Sequence, residues 1–153
     1  MLLLGLVVFS LATAATATDT LPTATTSFGT LLGSHDLLTG VTSYKGVPYA
    51  AAPLGVLRFD APTKWTAPYP GGQRDARFYG AQCISASQSL SASEDCLFLN
   101  VFLPPARASN SRGSAGLATM LFIHGGSFVF GAGSEYDGST LAAKHGVAVI
   151  TIK

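Results

Sequence analysis

The segment Leu121-Phe-Ile-His-Gly-Gly-Ser-Phe-Val-Phe-Gly131 constrains this chain most. An apolar run breaks off into a histidine and two glycines, so a buried strand is expected to end in a turn that exposes backbone amides. Glycine lets the backbone adopt positive φ and lets another molecule come close. Amide donors at such a place can hold a negatively charged oxygen, often the largest electrostatic contribution to acyl transfer. A phosphate-binding loop fits poorly, because no Lys-Ser or Lys-Thr follows the glycines.

The flanking sequence sets the fold class. Val41 to Val47 has strand propensity and runs into Pro48. Pro48 to Gly72 is rich in Pro, Gly and aromatic residues and reads as an ordered loop over a core, with Trp65 packed beneath it. Cys96 to Leu103 is an apolar run ended by Pro104 and Pro105, as in a strand buried on both faces. Residues 106–116 form a polar turn or loop, and Ala118 to Ile123 is the next strand. Thr140 to His145 makes one or two helical turns, with Ser139 as N-cap and Gly146 as stop. Val147 to Ile152 is a further β-branched strand. Strand, loop, short helix and strand in succession predict an α/β fold.

Composition narrows the function classes. Charged residues are 11% of the 153, against about a quarter in a typical soluble domain, as expected for part of a larger buried sheet. The net charge is +1 and the basic residues are scattered, so nucleic acid is not an expected partner. Residues 1–17 read as a secretory signal peptide, with the apolar core Leu2 to Leu11 and small-x-small sites at Ala12–Ala14 and Ala15–Ala17. That core is well short of the roughly 20 residues that span a bilayer, so no stable membrane anchor is expected. Residues 18–30, rich in Thr and Ala, would be a loose mature N-terminus, and the expected localisation is secreted. In a secreted chain the two cysteines, Cys83 and Cys96, read as a disulfide closing a short loop, worth roughly 3 kcal/mol. They lack the partner residues of a zinc site, so no metal is expected.

Four segments in this order resemble the type-B carboxylesterase/lipase family, which includes cholinesterases and fungal lipases. They are Gly46 to Phe59, Ser93 to Val101, Ile123 to Phe128 and Tyr136 to Ala142. The resemblance implies an α/β-hydrolase, of which residues 31–153 would be the N-terminal portion, an incomplete part of the sheet. It implies a secreted serine ester hydrolase with an ester substrate and no cofactor. Its oxyanion hole would use the amides of Gly126 and Ser127, with Gly125 allowing the tight turn. It also implies that Cys83 and Cys96 form the family's first disulfide. Glu94 would pair with Arg58 at a buried corner, where removing one partner costs about 3–5 kcal/mol.

The family's triad is a serine in a Gly-Glu-Ser-Ala-Gly elbow, then an acid, then a histidine, all downstream of Lys153. The present sequence contains no Gly-x-Ser-x-Gly. Ser114 has Arg112 in place of the first glycine, and Ser127 has Val129 in place of the second. The expectation is a segment that supplies the oxyanion donors, lies before the nucleophile elbow and is inactive alone. The alternative is a non-catalytic, cholinesterase-like binding or adhesion module. His124, His35 and His145 read as structural, and Glu94 and Asp95, adjacent in an extended segment, point to opposite faces.

Overall fold

The computed structural model describes residues 20–86, 90, 92–105 and 116–153. The signal-peptide reading and Ser114 lie outside the described residues. The core is a five-stranded mixed sheet built from β3 (Ser34–His35), β4 (Thr42–Pro48), β8 (Phe98–Leu103), β9 (Thr119–Ile123) and β10 (Ala148–Ile152). Their spatial order is β3-β4-β8-β10-β9. β8 is antiparallel to both β4 and β10, whereas β9 and β10 run parallel. The chain makes the β9–β10 crossover through α1 (Ser139–His145), the usual means of joining parallel neighbours.

A second, three-stranded sheet holds β1 (Thr23–Thr26), β2 (Gly29–Leu32) and β5 (Gln73–Asp75), in the order β1-β2-β5. Its β1–β2 hairpin corrects the expectation of a loose stretch over residues 18–30. Thr and Ala alternate there in a half-buried strand, and Thr26 closes the turn by donating its hydroxyl to Gly29 O at 2.8 Å. Pairing with β2, rather than local composition, decides the outcome.

β8 separates two apolar clusters. Phe102 points to one side with Val41, Ala142 and Val149, under α1. Val101 and Leu103 point to the other, against Leu31, Tyr44, Tyr69 and Ala76. Burial along β8 alternates between full and partial, so the expected two-sided burial is complete on the helix side only. Trp65 packs on the second cluster with its ring 6.4 Å from that of Tyr69, a core role.

α1 begins one residue earlier than expected. Its N-cap is Gly138 and not Ser139, and Asp137 Oδ1 accepts the Ser139 amide at 2.7 Å. A carboxylate is the stronger acceptor at a helix start, which explains the shift. Gly146 stops the helix with φ 64°, donating its amide to Ala142 O.

β9 departs from the expectation of a buried strand. Met120, Leu121, Phe122 and Ile123 are between 40% and 68% exposed. β9 is the sheet edge, bonded only to β10 among the described residues. On this strand the Phe122 ring lies 4.6 Å from that of Tyr136.

Cys83 and Cys96 form a disulfide with their Cα atoms 5.0 Å apart. It joins β6 (Gln82–Cys83), which pairs in parallel with β7 (Ala92–Ser93), to the start of the β8 segment. The Arg58 Nε lies 2.5 Å from Glu94 Oε1, and both residues line a pocket of about 250 Å3 together with the two cysteines. The buried corner expected for this pair is not found: the side chains are 53% and 35% exposed. Water screens both charges, so the pair is worth at most about 1 kcal/mol rather than the larger penalty of a buried one.

Replacing both cysteines by serine should lower unfolding stability by roughly 3 kcal/mol, read from urea denaturation. An unchanged midpoint would show that the crosslink adds nothing. Arg58→Ala should cost under about 1 kcal/mol in the same measurement. A loss of about 3 kcal/mol or more would mean that the pair is desolvated in the folded protein.

Candidate functional site

β9 ends at Ile123, directly opposite Ile152 of β10, and the chain leaves the sheet there. The loop that follows, residues 124–133, turns back on itself. Gly126 O accepts from the amides of Val129 and Phe130 at 2.9 and 3.1 Å. To make this turn, Gly126 adopts φ 135°, Ser127 φ 55° and Phe128 φ 59°. Among the described residues, neither the Gly126 nor the Ser127 amide donates to a protein acceptor. The two residues line an open pocket of about 200 Å3 with His124, Gly125, Phe128 and Phe130.

Position by position, the glycine requirement differs from the sequence expectation. A Cβ on Gly125 would meet nothing within 4 Å, and its φ is ordinary. Gly125 is therefore not the residue that permits the turn in this chain. Gly126 is: a Cβ there would sit 1.8 Å from Phe130 O, at a φ that L residues avoid. Gly131, with φ 107°, is the second such position, because a Cβ there would crowd Gly125 O and His124 Nδ1. Ser127 bears its left-handed backbone without glycine's freedom, at a cost of about 1–2 kcal/mol.

His124 Nδ1 lies 2.8 Å from Gly125 O and is engaged with the loop backbone, the structural role expected of it. His35 Nδ1 lies 3.2 Å from Thr42 Oγ1 in the β3–β4 pair, and His145 ends α1. Asp95 lies beside Glu94, and its amide binds Ser93 Oγ. None of the three histidines lines the same pocket as either carboxylate. Among the described residues, no group of three or more His, Cys, Asp or Glu converges as a metal site would require. No described helix is long and apolar enough to cross a membrane.

The disulfide segment borders the loop. The Ala86 amide donates to Val129 O at 3.3 Å, and Cys83 to Ala86 share a pocket of about 420 Å3 with His124 and Phe128 to Gly131. At the same end of β10 as the loop, Lys153 Nζ donates to Ala81 O at 2.8 Å. Burial pushes its ammonium down to about 8, and nearby Glu135 opposes the shift.

Sequence reasoning passed over two buried polar residues behind the loop. Asn100 is 2% exposed and Thr151 1%. They face each other across β8 and β10, with Asn100 Nδ2 donating to Thr151 Oγ1 at 3.0 Å. The available signal was a single polar side chain inside each apolar run.

The chain is 41% identical to the para-nitrobenzyl esterase of Bacillus subtilis (strain 168) over 84% of its length, spanning 26% of that protein. It is 35% identical to the human (Homo sapiens) cocaine esterase over 86% of its length, again spanning 26%. Among solved structures it superimposes on a PNB esterase with a TM-score of 0.71 at 41% identity, covering 86% of this chain and 26% of that one. Aspergillus niger EstA gives a TM-score of 0.72 at 30% identity, with 88% and 26% covered. The chain thus spans about a quarter of the length of these relatives, and its α/β fold is that of the corresponding part of α/β-hydrolase carboxylesterases. The model of the carboxylesterase family matches residues 20–153, and the chain belongs to that family.

Proposed function

We propose that this chain supplies the oxyanion-binding part of a secreted serine ester hydrolase. The observation that carries the reading is the pair of consecutive amides at Gly126 and Ser127. They have no acceptor among the described residues, and a turn that only glycine tolerates at its first position holds them beside an open pocket. When a nucleophile adds to an ester carbonyl, the carbonyl oxygen becomes an anion. Two amides aimed at that oxygen stabilise the transition state more than the neutral ester, so they raise kcat rather than merely tightening binding. Being fixed by the loop, they need no reorganisation as charge develops.

The 153 residues contain no Gly-x-Ser-x-Gly elbow, so in this reading the attacking serine, the acid and the base come from sequence outside the segment. The segment alone is inactive, and the 1–17 leader directs the protein to the secretory route. The names of the relatives support an ester substrate: one is a para-nitrobenzyl esterase and another a cocaine esterase. Ser127 lines the pocket, and in this reading its side chain narrows the space for the acyl group.

The test is hydrolysis of p-nitrophenyl acetate by a full-length protein carrying this segment. Gly126→Ala keeps the backbone N–H, but its Cβ would collide with Phe130 O and displace the amides. The kcat should therefore fall by about 10²–10³, as when one such donor is lost, while KM changes by less than about threefold. A Gly126→Ala enzyme that keeps its kcat would rule out this loop as the oxyanion site. A full-length protein with no ester hydrolysis would favour the non-catalytic binding module.

A further inference from the structure

The loop bearing the two amides is anchored to the sheet at both feet, and both anchors are neighbouring residues of β10. At the outgoing foot, Ile123 pairs with Ile152 in the parallel ladder. At the returning foot, Gly133 lies so close to the Ile152 backbone that a Cβ would fall 2.6 Å from its carbonyl oxygen. There the Thr151 hydroxyl donates to Gly133 O at 2.9 Å. The returning foot is thus held by the Thr151 hydroxyl as well as by close packing on the Ile152 backbone.

That hydroxyl is not free to turn. Arg74 Nε donates to Gly46 O at 2.8 Å, and the Gly46 amide donates to Asn100 Oδ1 at 3.0 Å. Asn100 Nδ2 in turn donates to Thr151 Oγ1 at 3.0 Å. With its oxygen already accepting from Asn100, Thr151 directs its own proton to Gly133. From the Gly46 amide onward each bond points the same way, towards the loop, and such a series is mutually strengthening in a low-dielectric interior. The Arg74 bond falls on Gly46 O, which belongs to the next peptide group, and holds the bulge separately. Gly46 belongs to it for a backbone reason. It sits with φ 61° in the β4 bulge between Tyr44 and Val47, where the strand turns its amide towards Asn100.

We infer that Thr151 and Asn100 are positioning residues for the Gly126 and Ser127 donors, acting through Gly133. Neither touches the pocket that those amides line. Their effect is on where the loop returns to the sheet, and hence on the curvature between its two feet. The assignment rests on the oxyanion reading for its catalytic consequence, but the anchoring itself is independent of it.

The test uses Thr151→Val and Thr151→Ser in a full-length protein carrying this segment. Valine keeps the shape and removes the hydroxyl; serine keeps the hydroxyl. For p-nitrophenyl acetate, Thr151→Val should lower kcat about tenfold with KM changed less than about twofold, and Thr151→Ser should restore most of the rate. In hydrogen–deuterium exchange, peptides covering 124–133 should exchange about tenfold faster in Thr151→Val but not in Thr151→Ser, with distant strands unaffected. If Thr151→Val does not accumulate, Thr151→Ala, which leaves room for a water against Gly133, serves in both measurements. Unchanged exchange of 124–133 together with unchanged kcat per folded molecule would overturn the inference. Should the parent protein hydrolyse no ester, the oxyanion reading fails and the exchange measurement alone decides the anchoring.

Discussion

The hydrogen bond from Asn100 to Thr151 joins the two central strands of the sheet at the point where a polar group is most expensive. Both residues are almost fully buried, and an unpaired amide or hydroxyl there would cost about 1–3 kcal/mol. The structure avoids that cost only if every neighbour is in place at once: the bulge at Gly46, the register of β8 against β10, and the return of the loop at Gly133. A slip of one residue in β10 would turn Thr151 to the other face, leaving Asn100 Nδ2 without its partner and Gly133 O with the Tyr136 amide alone. The buried polar series therefore ties strand register to loop position, whereas the apolar clusters on either side of β8 supply burial without specifying alignment.

The loop itself is a compromise between backbone freedom and fixed donors. Three successive residues, Gly126, Ser127 and Phe128, have positive φ, and only the first is glycine. The strain at Ser127 and Phe128 is local, and the surrounding anchors must hold it. Those anchors lie on β10 and on the disulfide segment, through the bond from Ala86 to Val129. β9, which delivers the chain to the loop, is exposed on both faces and paired along one edge among the described residues. An apolar strand with an open edge favours pairing with further strands. That property accords with a segment spanning about a quarter of its relatives.

Much of this arrangement was legible in the sequence. The β-branched and apolar runs gave four of the five strands of the main sheet to within one or two residues, and Gly146 marked the helix end. The His-Gly-Gly turn placed the loop. What escaped reading depended on contacts distant in sequence. Thr and Ala at 23–26 form a strand because β2 pairs with them, and nothing in their own composition demands it. Gly125 and Gly126 are indistinguishable as letters, but only the fold shows that Phe130 O blocks a side chain at the second. Arg58 and Glu94 do meet, yet their exposure, and so their energetic weight, follows from the surface they lie on. Asn100 and Thr151 are each one polar residue in an apolar run, a signal passed over in the sequence that becomes informative once the register pairs them.

The decisive experiment is a crystal structure of a full-length protein carrying this segment after reaction with a p-nitrophenyl phosphonate, whose phosphoryl oxygen stands where the oxyanion would form. The geometry predicts that oxygen at about 2.7–3.1 Å from both the Gly126 and Ser127 amide nitrogens. A phosphoryl oxygen held by other donors, with these two amides turned away, would contradict the assignment of the loop.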